Sequence, residues 1–134
     1  MTNEERIQHW IDLSKEDLRT GKTLLRGRHY LYVGFMCHQT IEKIFKAYYA
    51  KQKEDTPPYT HKLIFLAHKS ELYDLLSEEQ KDLINVLDPL NIEARYPEYK
   101  SAIAKTLNHA KCVELLEQTK ILWQWTVEAI LSTK

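Results

Sequence analysis

The chain has 134 residues, with 19 lysines and arginines against 19 aspartates and glutamates, enough for one ordinary core and without a net field that would draw it to nucleic acid or to an anionic membrane. Its opening, MTNEERIQHW, lacks the basic-then-apolar order of a signal peptide, and no apolar run approaches the roughly 18 residues of a spanning helix. These features predict a single domain over residues 1–134, cytoplasmic and without membrane contact, in which any anion site is local.

Only three glycines and four prolines interrupt the chain, and the prolines stand at Pro57, Pro58, Pro89 and Pro97, so long helices are expected between them. Ile7, Ile11, Ser14, Leu18, Gly21 and Leu25 recur at three- and four-residue steps, with Trp10 beside them, and predict the inward face of a first helix. Gly21 on that face predicts close approach of a neighbouring helix, and RGRH, with Gly27, predicts the break. A second helix is expected from about His29 to Lys53, with Cys37, Ile41, Ile44, Phe45 and Tyr48 in its stripe. Cys37 and Cys112 lack CxxC spacing and read as small core residues.

Pro57 and Pro58 make PPYTHK a loop in which Thr60 can cap the following helix. A third helical region is expected over His61 to Asp88, broken near Ser77 because SEEQ has the form of a capping box. The segment from Pro89 to about Lys105 reads as a loop. The last helix is expected to begin near Thr106 as cap, with Val113, Leu116, Trp123, Val127 and Ile130 inward. The outcome is an all-α bundle of four main helices, the first two antiparallel across a short connection.

Three groups of polar residues are candidates for a site. His38, Glu42 and Lys46 fall on one strip of the second helix beside the core stripe, with Gln39 and Lys43 further round. A solvated helix face explains them as well as a site does, since an exposed i,i+4 Glu–Lys pair contributes only ~0.2–0.5 kcal/mol. His61 and His68 are seven apart, and no carboxylate or cysteine completes a metal set with them, so neither a metal nor a cofactor is expected. EARYPEY offers Arg95, whose planar fork suits phosphate, with Tyr96 and Tyr99 as stacking faces and Glu98 nearby. The competing reading ties Arg95 to a carboxylate or to carbonyls while the tyrosines cover the core. No glycine-rich phosphate loop, GxSxG or HExxH is present, which argues against a stand-alone metabolic enzyme.

Taken together, HWIDLSKEDLRTGKTLL, YVGFMCHQTIEKIFKAYYA, PPYTHKL and ARYP resemble, in this order and over nearly the whole chain, the HEPN domain family (higher eukaryotes and prokaryotes nucleotide-binding domain). The resemblance implies an up-and-down bundle of four to five helices, commonly a homodimer, often the partner of a minimal nucleotidyltransferase and once proposed to bind its nucleotide. Some branches are metal-independent, toxin-like ribonucleases that use an arginine followed after four to six residues by a histidine, in a site assembled across the dimer. Arg95 matches that arginine, but Lys100, Ser101 and Ala102 hold the histidine positions, and His109 is fourteen residues on. A lysine of ordinary pKa near 10.4 is a poor proton shuttle for an RNA 2′-hydroxyl, so enzyme activity is not expected.

The expectation is a HEPN-type binding module for a nucleotide or RNA phosphate. Arg95 would hold phosphate, Tyr96 or Tyr99 would stack, Lys43 and Lys46 would supply positive potential, and His38, Gln39 and His61 complete the candidate set. If the chain were a ribonuclease, Arg95 would be catalytic. A purely structural interaction domain is the other alternative. Leu13 and Leu24 form a second, short apolar strip on the first helix that would suit a homodimer.

Overall fold

A computed structural model provides the structure of the chain and describes residues 1–93, 96, 98 and 105–132. Helix α1 spans Asn3–Arg26, α2 Tyr30–Lys53, α3 Leu63–Lys69, α4 Glu78–Leu87, α5 Leu90–Glu93 and α6 His109–Ser132, with one 3₁₀ turn at Tyr73–Leu75. The protein is an all-α helical bundle.

A capping box starts α1: Thr2 Oγ1 accepts the Glu5 N–H at 3.1 Å, and Glu5 Oε1 accepts the Thr2 N–H at 3.0 Å. The inward face is the predicted one, with Ser14, Leu18 and Gly21 buried and Ile7, Trp10, Ile11 and Leu25 packed against the core. Gly21 sits where a Cβ would stand 3.1 Å from Leu116 of α6 and 3.4 Å from Met36 of α2, the close approach its place on the stripe implied. Leu24 also packs against the core and Leu13 is half-buried, so the expected second strip is not a separate surface; α1 is covered over a wide arc by two neighbours.

Helix α2 is the central element. Val33, Cys37, Ile41, Ile44, Phe45 and Ala47 are all fully buried, and Tyr48 nearly so. Asn3 donates to the Ala50 carbonyl, Lys43 donates to Asp17, and Gly21 meets Met36, so α1 and α2 run antiparallel as expected. Trp123 Nε1 donates to Ser14 Oγ at 2.7 Å and Leu116 meets Gly21, which sets α6 antiparallel to α1 and beside α2.

Four sequence expectations are corrected. The region His61 to Asp88 breaks twice: at Ser77, where Ser77 and Gln80 form the predicted capping box, and again after Lys69. There Glu71 takes a left-handed conformation, φ 65°, so that Leu72 can turn into the core. The N-terminus of α3 is capped by Asp88, whose Oδ1 accepts the Leu63 N–H at 2.8 Å, and Thr60 instead accepts the Lys62 N–H. Within the stretch read as a loop, Leu90–Glu93 forms one helical turn. Helix α6 is capped by Asn108, not Thr106, and its inward face runs through Cys112, Leu115, Leu116, Thr119, Leu122, Thr126 and Ile130, leaving Val113 45% exposed. Among the described residues no helix is long and apolar enough to cross a membrane.

Candidate functional site

His38, Glu42 and Lys46 lie at successive i,i+4 positions and therefore on one face of α2. That face is not wet. His38 is fully buried, the Glu42 and Lys46 side chains are 4% and 7% exposed, and of the two readings the solvated helix face is excluded because other segments cover it. Trp10 of α1 lies on one side, its ring centroid 5.2 Å from Lys46 Nζ, and the loop before α3 closes the other. Charges taken out of water persist only when paired, and these are.

Glu42 is the hub. Its Oε2 accepts from Lys46 Nζ at 3.1 Å, and its Oε1 lies 2.9 Å from His61 Nδ1. His38 Nε2 lies 2.9 Å from the His61 carbonyl oxygen, which requires the proton on Nε2; Nδ1 has no hydrogen-bond partner among the described residues, with Glu42 Oε1 3.9 Å away. Burial pushes the His38 imidazole below its ordinary range, outweighing the pull of Glu42 and Asp88, so the ring is neutral at pH 7. His38 thus fixes the backbone of His61 while Glu42 fixes its ring.

The side chain of His61, 38% exposed, is where this buried network reaches the surface. It opens on a cleft of about 560 Å³ lined by Thr60, His61, Lys62, Asp88, Pro89 and Asn91. Asn91 is only 5% exposed, and its Oδ1 has no hydrogen-bond partner among the described residues.

The fold therefore brings together His38, Lys46 and His61 of the candidate set, with Glu42, and separates the others. Lys43 is paired with Asp17 of α1, half-buried, and with Lys46 held by Glu42 neither lysine supplies the free positive potential expected of it. Gln39 is half-buried on α2, and its Oε1, itself closed to solvent, has no hydrogen-bond partner among the described residues. Tyr96 is 49% exposed, and Arg95 and Tyr99 lie outside the described residues. Sequence reasoning passes over Lys62, Asp88 and Asn91. The signal available is DPLN, a few residues ahead of ARYP, in which Asp88 reads only as a helix end. Neither thiol contributes: burial pushes Cys37 up to about 12 and Cys112 to about 11, which keeps both protonated and inert.

The family model for the HEPN domain matches residues 7–130. The chain belongs to the HEPN domain family. The crystal structure of TT1696 from Thermus thermophilus is similar over 92% of this chain and 97% of its own, with a TM-score of 0.75 at 21% identity, a likeness of fold. No curated protein matches the chain significantly. In this HEPN domain the helix-borne HQTIEK pattern and the PPYTHKL loop are two halves of one buried network, Glu42 meeting His61 across nineteen residues of sequence.

Proposed function

We propose that this HEPN domain is a non-enzymatic binding module, the partner of a minimal nucleotidyltransferase and a homodimer, that recognises a nucleotide or an RNA phosphate at the cleft beside His61. The observation that carries the reading is the preorganisation of His61: backbone and ring are each tied to a residue of α2, at the mouth of a cleft of ligand size. The buried glutamate, lysine and histidine support the reading, because an apolar set of the same volume is often as stable. The phosphate roles fall to Arg95, a few residues beyond the cleft-lining Asn91 in sequence, and to Lys62 on the cleft in place of Lys43 and Lys46. Tyr96, and Tyr99 with it, would stack on a base.

The test is the thermal midpoint of the wild type, Arg95→Ala and Lys62→Ala with a panel of nucleotides and a short RNA at two salt concentrations. A ligand at 100 times its dissociation constant stabilises by roughly 2.7 kcal/mol, several degrees for a domain of this size. The shift should shrink in both variants and at high salt; its absence with every ligand would leave a purely structural interaction domain. The surroundings of His61 favour a second reading. An imidazole with Nδ1 on a carboxylate and its other nitrogen left for a cleft has the form of an oriented general base, so His61 would stand in for the missing histidine of a ribonuclease. Metal-independent RNA cleavage lost in His61→Ala and Arg95→Ala would establish it, and an inactive wild type would remove it.

A further inference from the structure

We propose that the cleft takes the base end of its ligand and that the base is adenine, read by Asn91 and Asp88. The inference rests on the nucleotide reading above and adds to it the part of the nucleotide that is recognised.

Two side chains with hydrogen-bond acceptors, Asp88 and Asn91, line the cleft together. Asp88 uses Oδ1 to hold the Leu63 N–H, and its second carboxylate oxygen carries no hydrogen bond among the described residues. Asn91 is nine-tenths buried, lines the same cleft, and keeps an oxygen that no described residue satisfies. Buried amide oxygens are nearly always paired, so an orphan at a cleft wall points to a donor that arrives with a ligand. The orphan oxygen is itself closed to solvent, so a ligand reaches it once the carboxamide turns about its soft terminal torsion, which presents a donor and an acceptor together. That pair matches the amino group and N7 of adenine, the bidentate contact asparagine makes with this base.

The remaining lining agrees. Pro89 supplies an apolar wall for a flat ring, and about 560 Å³ is room for a nucleoside. A base with a carbonyl where adenine has its amino group would place an oxygen against Asp88 and against the unpaired Asn91 oxygen. A simple cation would also satisfy those acceptors, but Lys62 lines the same cleft and opposes it, while the same lysine suits the phosphate of a nucleotide whose base lies inside.

Calorimetric titration of the full chain with AMP, IMP, adenosine, ribose 5-phosphate and agmatine tests this. AMP should bind about tenfold or more tightly than IMP, which carries a carbonyl in place of the amino group. Asn91→Leu and Asp88→Asn should each abolish that preference while the thermal midpoint without ligand shows that they fold; the side-chain amide introduced by Asp88→Asn would keep an oxygen to cap α3. In the wild type, adenosine should perturb the NMR signals of the Asn91 side-chain amide, a readout independent of any variant. If IMP and ribose 5-phosphate bind as well as AMP, the phosphate reading stands and the adenine inference falls. If adenosine binds and ribose 5-phosphate does not, the base inference stands and the phosphate reading falls. Agmatine binding more tightly than adenosine would make the cleft a cation site and overturn the proposal, and no binding at millimolar concentrations would overturn both readings.

Discussion

His38 shows what a single residue does in this protein. It has no exposure, one hydrogen bond to the His61 carbonyl, and carboxylates of Glu42 and Asp88 each 3.9 Å away. Burial holds its pKa below the ordinary value near 6.5, so the unfolded chain takes up a proton more readily than the folded one. The stability contributed by neutral His38 is therefore complete above about pH 6.5 and declines as the pH falls through that value toward the lowered native one. The urea midpoint should drop between pH 7 and pH 5 in the wild type and drop less in His38→Gln, which keeps a donor for the His61 carbonyl; parallel curves would refute this role for the ring. The i,i+4 spacing makes it legible that His38, Glu42 and Lys46 share a face. It is not legible that the face is dry, because the groups that cover it, Trp10 and His61, come from distant segments and carry no periodic signal of their own.

Among the elements, helix boundaries are legible where residue types alone carry the cap. Thr2 with Glu5 and Ser77 with Gln80 are capping boxes whose chemistry is written in residue types, and the second of them is legible in SEEQ. The starts of α3 and α6 are not legible in this way, since Asp88 caps α3 from a distant segment and Asn108 caps α6 in place of Thr106. The ends of α1 and α2 fall where expected although their left-handed residues are Arg28 and Glu54, whereas the end before Glu71 is hidden because no glycine or asparagine marks it. After α1, the Arg28 N–H bonds to the Leu25 carbonyl and the His29 N–H to the Leu24 carbonyl, a Schellman turn closed on an arginine at φ 61°. The unexpected break after Lys69 repeats the pattern: the Glu71 N–H reaches the His68 carbonyl and the Leu72 N–H the Ala67 carbonyl. A side chain in this conformation is disfavoured by roughly 1–2 kcal/mol relative to glycine, partly offset by glycine's freedom in the unfolded chain. Arg28→Gly, at an exposed position, should raise the stability by about 1 kcal/mol in urea unfolding, whereas an unchanged midpoint would mean that the arginine makes up the difference through contacts of its own.

At the scale of the whole molecule, three long helices carry the fold and Gly21 marks where they press closest. The site depends on this frame, because α2 holds His38, Glu42 and Lys46 toward the cleft only while α1 covers its other side and brings Trp10 over Lys46. At Gly21 a methyl group would stand 3.1 Å from Leu116 Cδ2, the end of a side chain that can yield, and 3.4 Å from Met36 Cβ. Alanine there also gains up to about 1 kcal/mol of helix propensity, which offsets the crowding, so Gly21→Ala should leave stability within about 0.5 kcal/mol of the wild type. Leucine has no such accommodation. Its further carbons would have to displace Leu116 and Met36 together, and overpacking of this kind costs about 1–3 kcal/mol. Gly21→Leu should therefore lower the urea midpoint with an unchanged slope, and because α2 moves with the seam, the His61 ring resonances should shift although the substitution lies on another helix. A leucine variant as stable as the wild type, with those resonances in place, would show that the three helices are not pressed together at Gly21 and that the site does not lean on the seam.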